Sequence, residues 1–173
     1  MHIAGLLKND MVDGLGFSVS LWTQGCPFRC RGCHNPETWD PQGGMVANKD
    51  TLINEIISSI KANGVIRNFS VLGGEPLSLQ NVDDVNVIVS AVRKEYPDIK
   101  IMLWTGFTWE KLMDLDEPLV NSILNQIDVL IDGQFELDKR DITLWLRGSS
   151  NQRVIDVKES LKQRKVCEFA NTF

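Results

Sequence analysis

The sequence predicts an α/β fold, an open, partial (βα) barrel of about five βα units. Three observations carry this reading. Short β-branched runs alternate with longer stretches of helical period, the pattern of parallel βαβ units. The 173 residues, 43% of them hydrophobic, suit one domain with a sizeable core. Each βαβ unit takes roughly 30 residues or more and a closed eight-unit barrel about 250, so a curled sheet of this length stays open. A flat doubly wound sheet is the alternative that the pattern leaves standing.

The elements follow in order. Ile3 to Leu7 is an apolar start, followed by a turn-rich segment with Asn9-Asp10 and Asp13-Gly14-Leu15-Gly16. Phe17 to Thr23 alternates larger apolar residues with serines and reads as the first core strand. Leu52, Ile53, Ile56, Ile57 and Ile60 mark one face of a helix over 48–63, capped by Asn48 or Asp50 and ended by Asn63-Gly64. A buried strand, Asn68 to Leu72, runs into Gly73-Gly74-Glu75-Pro76. The next helix spans Val82 to Tyr96, with Val85, Ile88, Val89 and Val92 on one side and Pro97 as its stop. Ile99 to Trp104 is a strand ending at Thr105-Gly106, and 109–115 and 118–126 are short helices. Asp128 to Asp132 is a buried strand ending at Gly133. Leu144 to Leu146 and Val154-Ile155 read as short strand pieces around the polar stretch Arg147 to Arg153, and a charged helix is expected near 156–164. No linker interrupts this, so 1–173 is read as one domain with a polar tail over 156–173.

The chemistry gathers in Cys26-Pro-Phe-Arg-Cys30-Arg-Gly-Cys33-His34-Asn35, three thiols spaced Cys-x3-Cys-x2-Cys and punctuated by proline and glycine as a loop is. It leaves the C-terminal end of a strand, where parallel α/β proteins place variable functional loops. A cubane iron–sulfur cluster normally takes four thiolates, one per iron. Three thiolates leave one iron open to a substrate. A disulfide framework belongs to oxidising compartments, and no export signal is read. A Cys3His zinc site needs His34 and its neighbour Cys33 to reach one tetrahedral ion, which adjacent residues rarely do. Cys30-Arg-Gly-Cys33-His34 also fits haem attachment but leaves Cys26 unexplained. Cys167 stands far off in sequence and reads as a free thiol.

Gly73-Gly74-Glu75 is the second signal. Glycines at a strand end let backbone groups approach a ligand, and the carboxylate beside them can accept from an ammonium group. Thr105 and Asp132 end strands on the same side. An ordinary turn threonine explains Thr105 equally well.

Cys-x3-Cys-x2-Cys resembles the signature of the radical S-adenosylmethionine (SAM) enzymes, and the continuation Cys33-His-Asn-Pro-Glu-Thr-Trp39 resembles the subset that activates glycyl radical enzymes. Three further stretches resemble the activators of anaerobic ribonucleotide reductases: Trp104 to Thr108, Asp128 to Phe135 and Arg147 to Arg153. The resemblance runs from about residue 10 to 156. It implies a [4Fe-4S] cluster on Cys26, Cys30 and Cys33 and SAM held at its methionine end by Gly73, Gly74 and Glu75. Gly32, Cys33 and His34, with Thr105 and Asp132, are the further expected SAM contacts. The implied product is a glycyl radical on the glycyl radical subunit of an anaerobic ribonucleoside-triphosphate reductase, with a flavodoxin-like electron donor. There are two departures. Gly32 stands where the wider superfamily usually has an aromatic residue, which fits these activators better. Leu15 replaces a proline, and the arginine that usually follows is missing. Activation of another glycyl radical enzyme, or a small-molecule reaction such as that of 7-carboxy-7-deazaguanine synthase, are the rival readings. Arg147 to Arg153 is open between ligand contact, partner docking and a structural turn.

Eighteen basic and 23 acidic residues give −5 with no long run of either sign, which argues against a nucleic-acid surface. No apolar run reaches the ~20 residues of a membrane span. Free thiols and no targeting segment point to the cytoplasm.

Overall fold

The computed structural model describes residues 1–170. Seven strands form one mixed sheet: β1 (His2–Asp10), β2 (Ser18–Thr23), β3 (Met45–Val46), β4 (Asn68–Gly73), β5 (Ile101–Trp104), β6 (Val129–Asp132) and β7 (Arg153–Asp156). Their order is β3-β1-β2-β4-β5-β6-β7. β2, β4, β5 and β6 are parallel neighbours, as the alternation of strands and helices requires. The edges differ from the expectation. β1 pairs antiparallel with β2 and with β3, and β7 pairs antiparallel with β6. The parallel part is therefore four strands rather than a run of five identical units.

Among the described residues five α-helices complete the fold: α1 (Lys49–Ile60), α2 (Val82–Glu95), α3 (Trp109–Leu115), α4 (Pro118–Leu124) and α5 (Val157–Gln163). Local chemistry fixes their starts. The Asn48, Thr108, Glu117 and Asp156 side chains each accept a backbone N–H from the first turn, of α1, α3, α4 and α5 respectively. Beyond α1 the chain turns at Asn63, whose φ of 56° is left-handed. All five helices pack on one face of the sheet, where Leu52, Ile56, Val85, Ile88, Leu112, Ile123 and Val157 meet Val19, Leu21, Phe69, Val71, Ile101, Leu103 and Leu130. The alternate strand positions form a second, smaller cluster: Met102, Val129, Ile131 and Val154 with Leu15 from the loop after β1. Helices on both faces define a doubly wound sheet, so that alternative is corrected. Among the described residues no helix is long and apolar enough to cross a membrane.

Two local expectations are also corrected. The turn-rich reading of Asn9-Asp10 gives way to the end of a nine-residue strand, because the largely buried strand β2 needs pairing on both edges. Leu144 to Leu146 is a turn, not a strand piece. Leu146 has φ of 59°, and its carbonyl accepts from the Trp104 indole at 2.8 Å.

Arg67 ties the end of α1 to β1. It is 6% exposed, and its guanidinium donates to the carbonyls of Ser59, Ala62 and Val65 (3.2, 2.9 and 2.9 Å) and to the Asn9 side chain. Those carbonyls lie at and beyond the helix end, where no intrahelical donor is left. Replacing Arg67 by methionine strands several of them, at about 1–3 kcal/mol for each buried group left unpaired. Urea unfolding of Arg67→Met is expected to give a lower midpoint with an unchanged slope.

Candidate functional site

The site is built where β2 and β4, adjacent and parallel, end together. Beyond β2, the Gly25 N–H donates to the Thr38 carbonyl (2.8 Å) and the Cys26 N–H to that of Trp39 (3.2 Å), closing the cysteine loop into a ring. Gln24, 1% exposed, reinforces the closure by donating from its amide to the carbonyls of Glu37 and Asp40 (2.9 and 2.7 Å). Phe28 anchors the outer side of the loop, edge-on to Phe107 with ring centroids 4.9 Å apart.

From β4, the Gly74 N–H donates to the Thr23 carbonyl (2.8 Å) and the Glu75 N–H to that of Gly25 (2.9 Å). Asn81, 1% exposed, donates to the carbonyls of Gln24 and Glu75 (2.9 and 3.0 Å) and fastens the two turns together. Here the reason for the glycines changes. A Cβ at Gly73 would sit 2.6 Å from the Thr23 nitrogen, and one at Gly74 would sit 2.5 Å from the Gly25 oxygen. The pair is required by the close approach of the cysteine loop's own backbone, before any ligand is considered.

Glu75 is likewise committed inside the protein. Its carboxylate accepts from the Leu77 N–H (2.9 Å), the Thr105 hydroxyl (2.8 Å) and the Gly106 N–H (2.7 Å). Burial pushes its carboxyl up to about 7, against the hydrogen bonds that favour the charge. Thr105 donates to Glu75 and accepts from the Phe107 N–H (3.1 Å). The two form a strut between the turns after β4 and β5.

One cavity of about 550 Å³ lies over these turns. Its wall includes Cys26, Cys30 and Cys33 with Gly32, His34, Gly73, Gly74, Glu75 and Thr105. The three thiols are partly exposed, and burial pushes those of Cys26 and Cys30 up. The Cys33 sulfur accepts from the Asn35 N–H at 3.4 Å. Among the described residues no three Cys, His, Asp or Glu side chains gather around a single point as a tetrahedral ion demands. Thiolates spread over one wall suit a cluster that takes one per iron. Gly32 has φ of 75°, and a Cβ there would sit 2.9 Å from Leu137, so Leu137 covers the place of a larger side chain.

Asp132 does not line this cavity. It is 1% exposed, accepts from the Trp109 N–H (2.7 Å) at the start of α3, and pairs with Arg153, which also reaches Glu110. Cys167 lies on the C-terminal segment, with its N–H donated to the Ser160 hydroxyl at 2.9 Å. Arg147 to Arg153 is a structured turn. The Gln152 side chain accepts from the Gly148 and Ser149 N–H groups and donates to the Gly133 carbonyl. Arg147 lines the cavity with Trp22 and Trp104. Sequence reasoning missed Gln24, Phe28, Asn81, Trp22, Trp104 and Arg147 as site residues. Phe28, Trp104 and Arg147 stood in stretches singled out in the sequence, but without a role.

Residues 12–155 match the family of 4Fe-4S single cluster domains. Curated relatives are similar over most of the chain. The anaerobic ribonucleoside-triphosphate reductase-activating protein of Enterobacteria phage T4 is 35% identical over 145 residues, 84% of this chain and 87% of that protein. Its counterpart in Escherichia coli strain K12 is 38% identical over 84% of this chain and 92% of that protein. That of Pasteurella multocida is 37% identical over 88% and 95%. This chain belongs to the family of anaerobic ribonucleoside-triphosphate reductase-activating proteins.

Gly74→Ala is expected to displace the Gly25 carbonyl and so disturb the cysteine loop itself. After anaerobic reconstitution the variant should hold less iron and sulfide per chain than wild type, where a defect confined to ligand binding would leave both unchanged.

Glu75 gives a pH signature. Its folded value, about 7, lies above the ordinary 4.5. The stability it contributes is therefore fully present below pH 4.5 and is lost as pH rises through 7. The stability difference between wild type and Glu75→Gln should narrow over that window, by up to about 3 kcal/mol. Parallel curves for the two proteins would mean that the carboxylate titrates normally.

Proposed function

We propose that this chain is a radical SAM activase that generates the glycyl radical of an anaerobic ribonucleoside-triphosphate reductase. The observation that carries the reading is the three cysteines on one cavity wall, against the Gly73-Gly74-Glu75 turn that is hydrogen-bonded to their loop. Family membership and the names of the relatives support it.

In this reading Cys26, Cys30 and Cys33 hold a [4Fe-4S] cluster with one iron left for SAM. When bound, the cluster would supply one electron, received from a flavodoxin-like donor, for cleavage of SAM to methionine and a 5′-deoxyadenosyl group, and a backbone glycine of the reductase would give that group its hydrogen atom, yielding 5′-deoxyadenosine and the glycyl radical. The chain's own residues bind, orient and exclude water. Backbone groups of Gly73 and Gly74 receive the methionine end of SAM. Those of Gly32 to His34 border its other side, and Glu75 with Thr105 fixes the turns between which it lies. Asp132 acts from behind, holding the start of α3 and Arg153. The sheet curves around the cavity as an open partial barrel within a single cytoplasmic domain. The exposed Val12 and Ile142 at the cavity wall are covered when the reductase docks.

Cys30→Ala is expected to abolish cluster assembly and Cys167→Ala to preserve it, judged by iron, sulfide and absorbance after anaerobic reconstitution. Reduced protein with SAM and the reductase should give a doublet electron paramagnetic resonance signal on a reductase glycine, absent when that glycine is replaced by alanine. Turnover of a purine precursor without any such signal would point to a small-molecule synthase instead.

A further inference from the structure

Beneath the cavity, on the helix-free face of the sheet, lies a second polar site made only of oxygens. Asp10, at the end of β1, is 6% exposed. Its Oδ1 accepts from the Val12 and Asp13 N–H groups (2.9 and 3.2 Å), while its Oδ2 is buried without a hydrogen-bond partner. Ser18 and Ser20 on β2 and Ser70 on β4 are fully buried, and all three hydroxyls lack partners. Strand geometry puts them together. Asp10 is registered with Ser18, and Ser20 with Ser70. Ser18 and Ser20 point to one face because side chains alternate along a strand. Gly14 arches over them, since a Cβ there would lie 2.1 Å from the Ser18 oxygen and 2.9 Å from that of Ser70.

The electrostatics are unbalanced. Burial works to raise the Asp10 carboxyl, but the Val12 and Asp13 N–H groups and the nearby Ser20 hydroxyl overcome it, so the group stays charged. Asp13, which lines the cavity, is pushed up to about 6 by burial, by the Asp10 charge and by side-chain contact with Asp10, with His34 pulling the other way. Among the described residues no lysine, arginine or histidine forms an ion pair with either carboxylate, whereas Asp128 has three cationic partners and Asp132 has Arg153. Buried charge is normally paired, and buried hydroxyls normally bonded. Two carboxylates and three buried hydroxyls, of which Ser20 lies beside Asp10, with neither nitrogen nor sulfur among them, form a donor set for hard metal ions.

We propose that Asp10, Asp13, Ser18, Ser20 and Ser70 bind a hard cation of the alkali or alkaline-earth class. The site lies along β1, β2 and β4 below the cavity, which it meets at Asp13, and it uses none of the cysteines. Its occupancy balances the charge under the 11–17 loop and holds Val12 and Asp13 at the cavity edge.

The test uses the reconstituted holoprotein under oxygen-free conditions, dialysed against tetramethylammonium chloride. Sodium, potassium, magnesium or calcium chloride is then added at equal ionic strength. Thermal unfolding follows stability, and elemental analysis after gel filtration counts non-iron metal per chain. At least one cation should raise the unfolding temperature saturably and be retained at about one per chain, the stabilisation following from binding to the folded state alone. Asp10→Asn should abolish the response, and Ser20→Ala should weaken the cation's affinity by about tenfold or more. If Asp10→Asn does not fold, Asp13→Asn carries the same expectation. Equal unfolding temperatures in all five salts, or a response that survives both the aspartate and the serine replacement, overturns the proposal and leaves a shared proton or buried water as the balance.

Discussion

The close approach of two backbone turns governs the rest of the site. The Gly74 and Glu75 amides donate across to Thr23 and Gly25, and contact at this range leaves no room for a side chain on either glycine. Because β2 and β4 are adjacent and parallel, their ends emerge side by side. Asn81 then spans the junction from the start of α2. Glu75 extends the same connection to the turn after β5 through Thr105 and Gly106. Three consecutive parallel strands are thereby linked at the end where the cysteines lie. Position of the thiols is thus inherited from the sheet rather than from the loop's own stiffness.

Much of this was legible in the sequence, for physical reasons that also mark where legibility stops. α1 and α2 carry long apolar periodicities with caps or stops, so their spans were readable to within a few residues. β4, β5 and β6 are short buried runs bounded by glycine or threonine turns. β1 escaped because Gly5 and the polar Lys8-Asn9-Asp10 end break its pattern, and its pairing is decided by the neighbour β2. β3 has only two residues, both exposed, and offers no periodic signal. The cysteines and the glycine pair announced themselves by spacing. The orientation of Glu75 did not, because whether a carboxylate faces a cavity or a neighbouring turn depends on donors thirty residues away. Asn81 gave no signal at all, since an asparagine before a helix is ordinarily read as its cap, and here its side chain makes no cap bond.

The one-sided layering has its own logic. Five helices cover one face of the sheet and leave the other to the 11–17 loop, the turn at Trp145-Leu146 and the cavity. A sheet face that no helix covers can carry groups that an α/β interior ordinarily rejects. Trp22 and Trp104 face the cavity, and Ser18, Ser20 and Ser70 continue the same face below. At the other edge, Arg153 joins β7 to Asp132 and Glu110, so the antiparallel strand that ends the sheet is fastened beside the start of α3.

The ring formed by the cysteine segment is closed by the polypeptide itself. Its ends are joined through Gly25 to Thr38, Cys26 to Trp39 and the Gln24 amide. The conformational entropy of closing a loop, which grows only slowly with its length, is opposed by these bonds. The spacing of the three thiols therefore depends on Gly25, Cys26 and Gln24 at the loop's ends as much as on the residues between the cysteines.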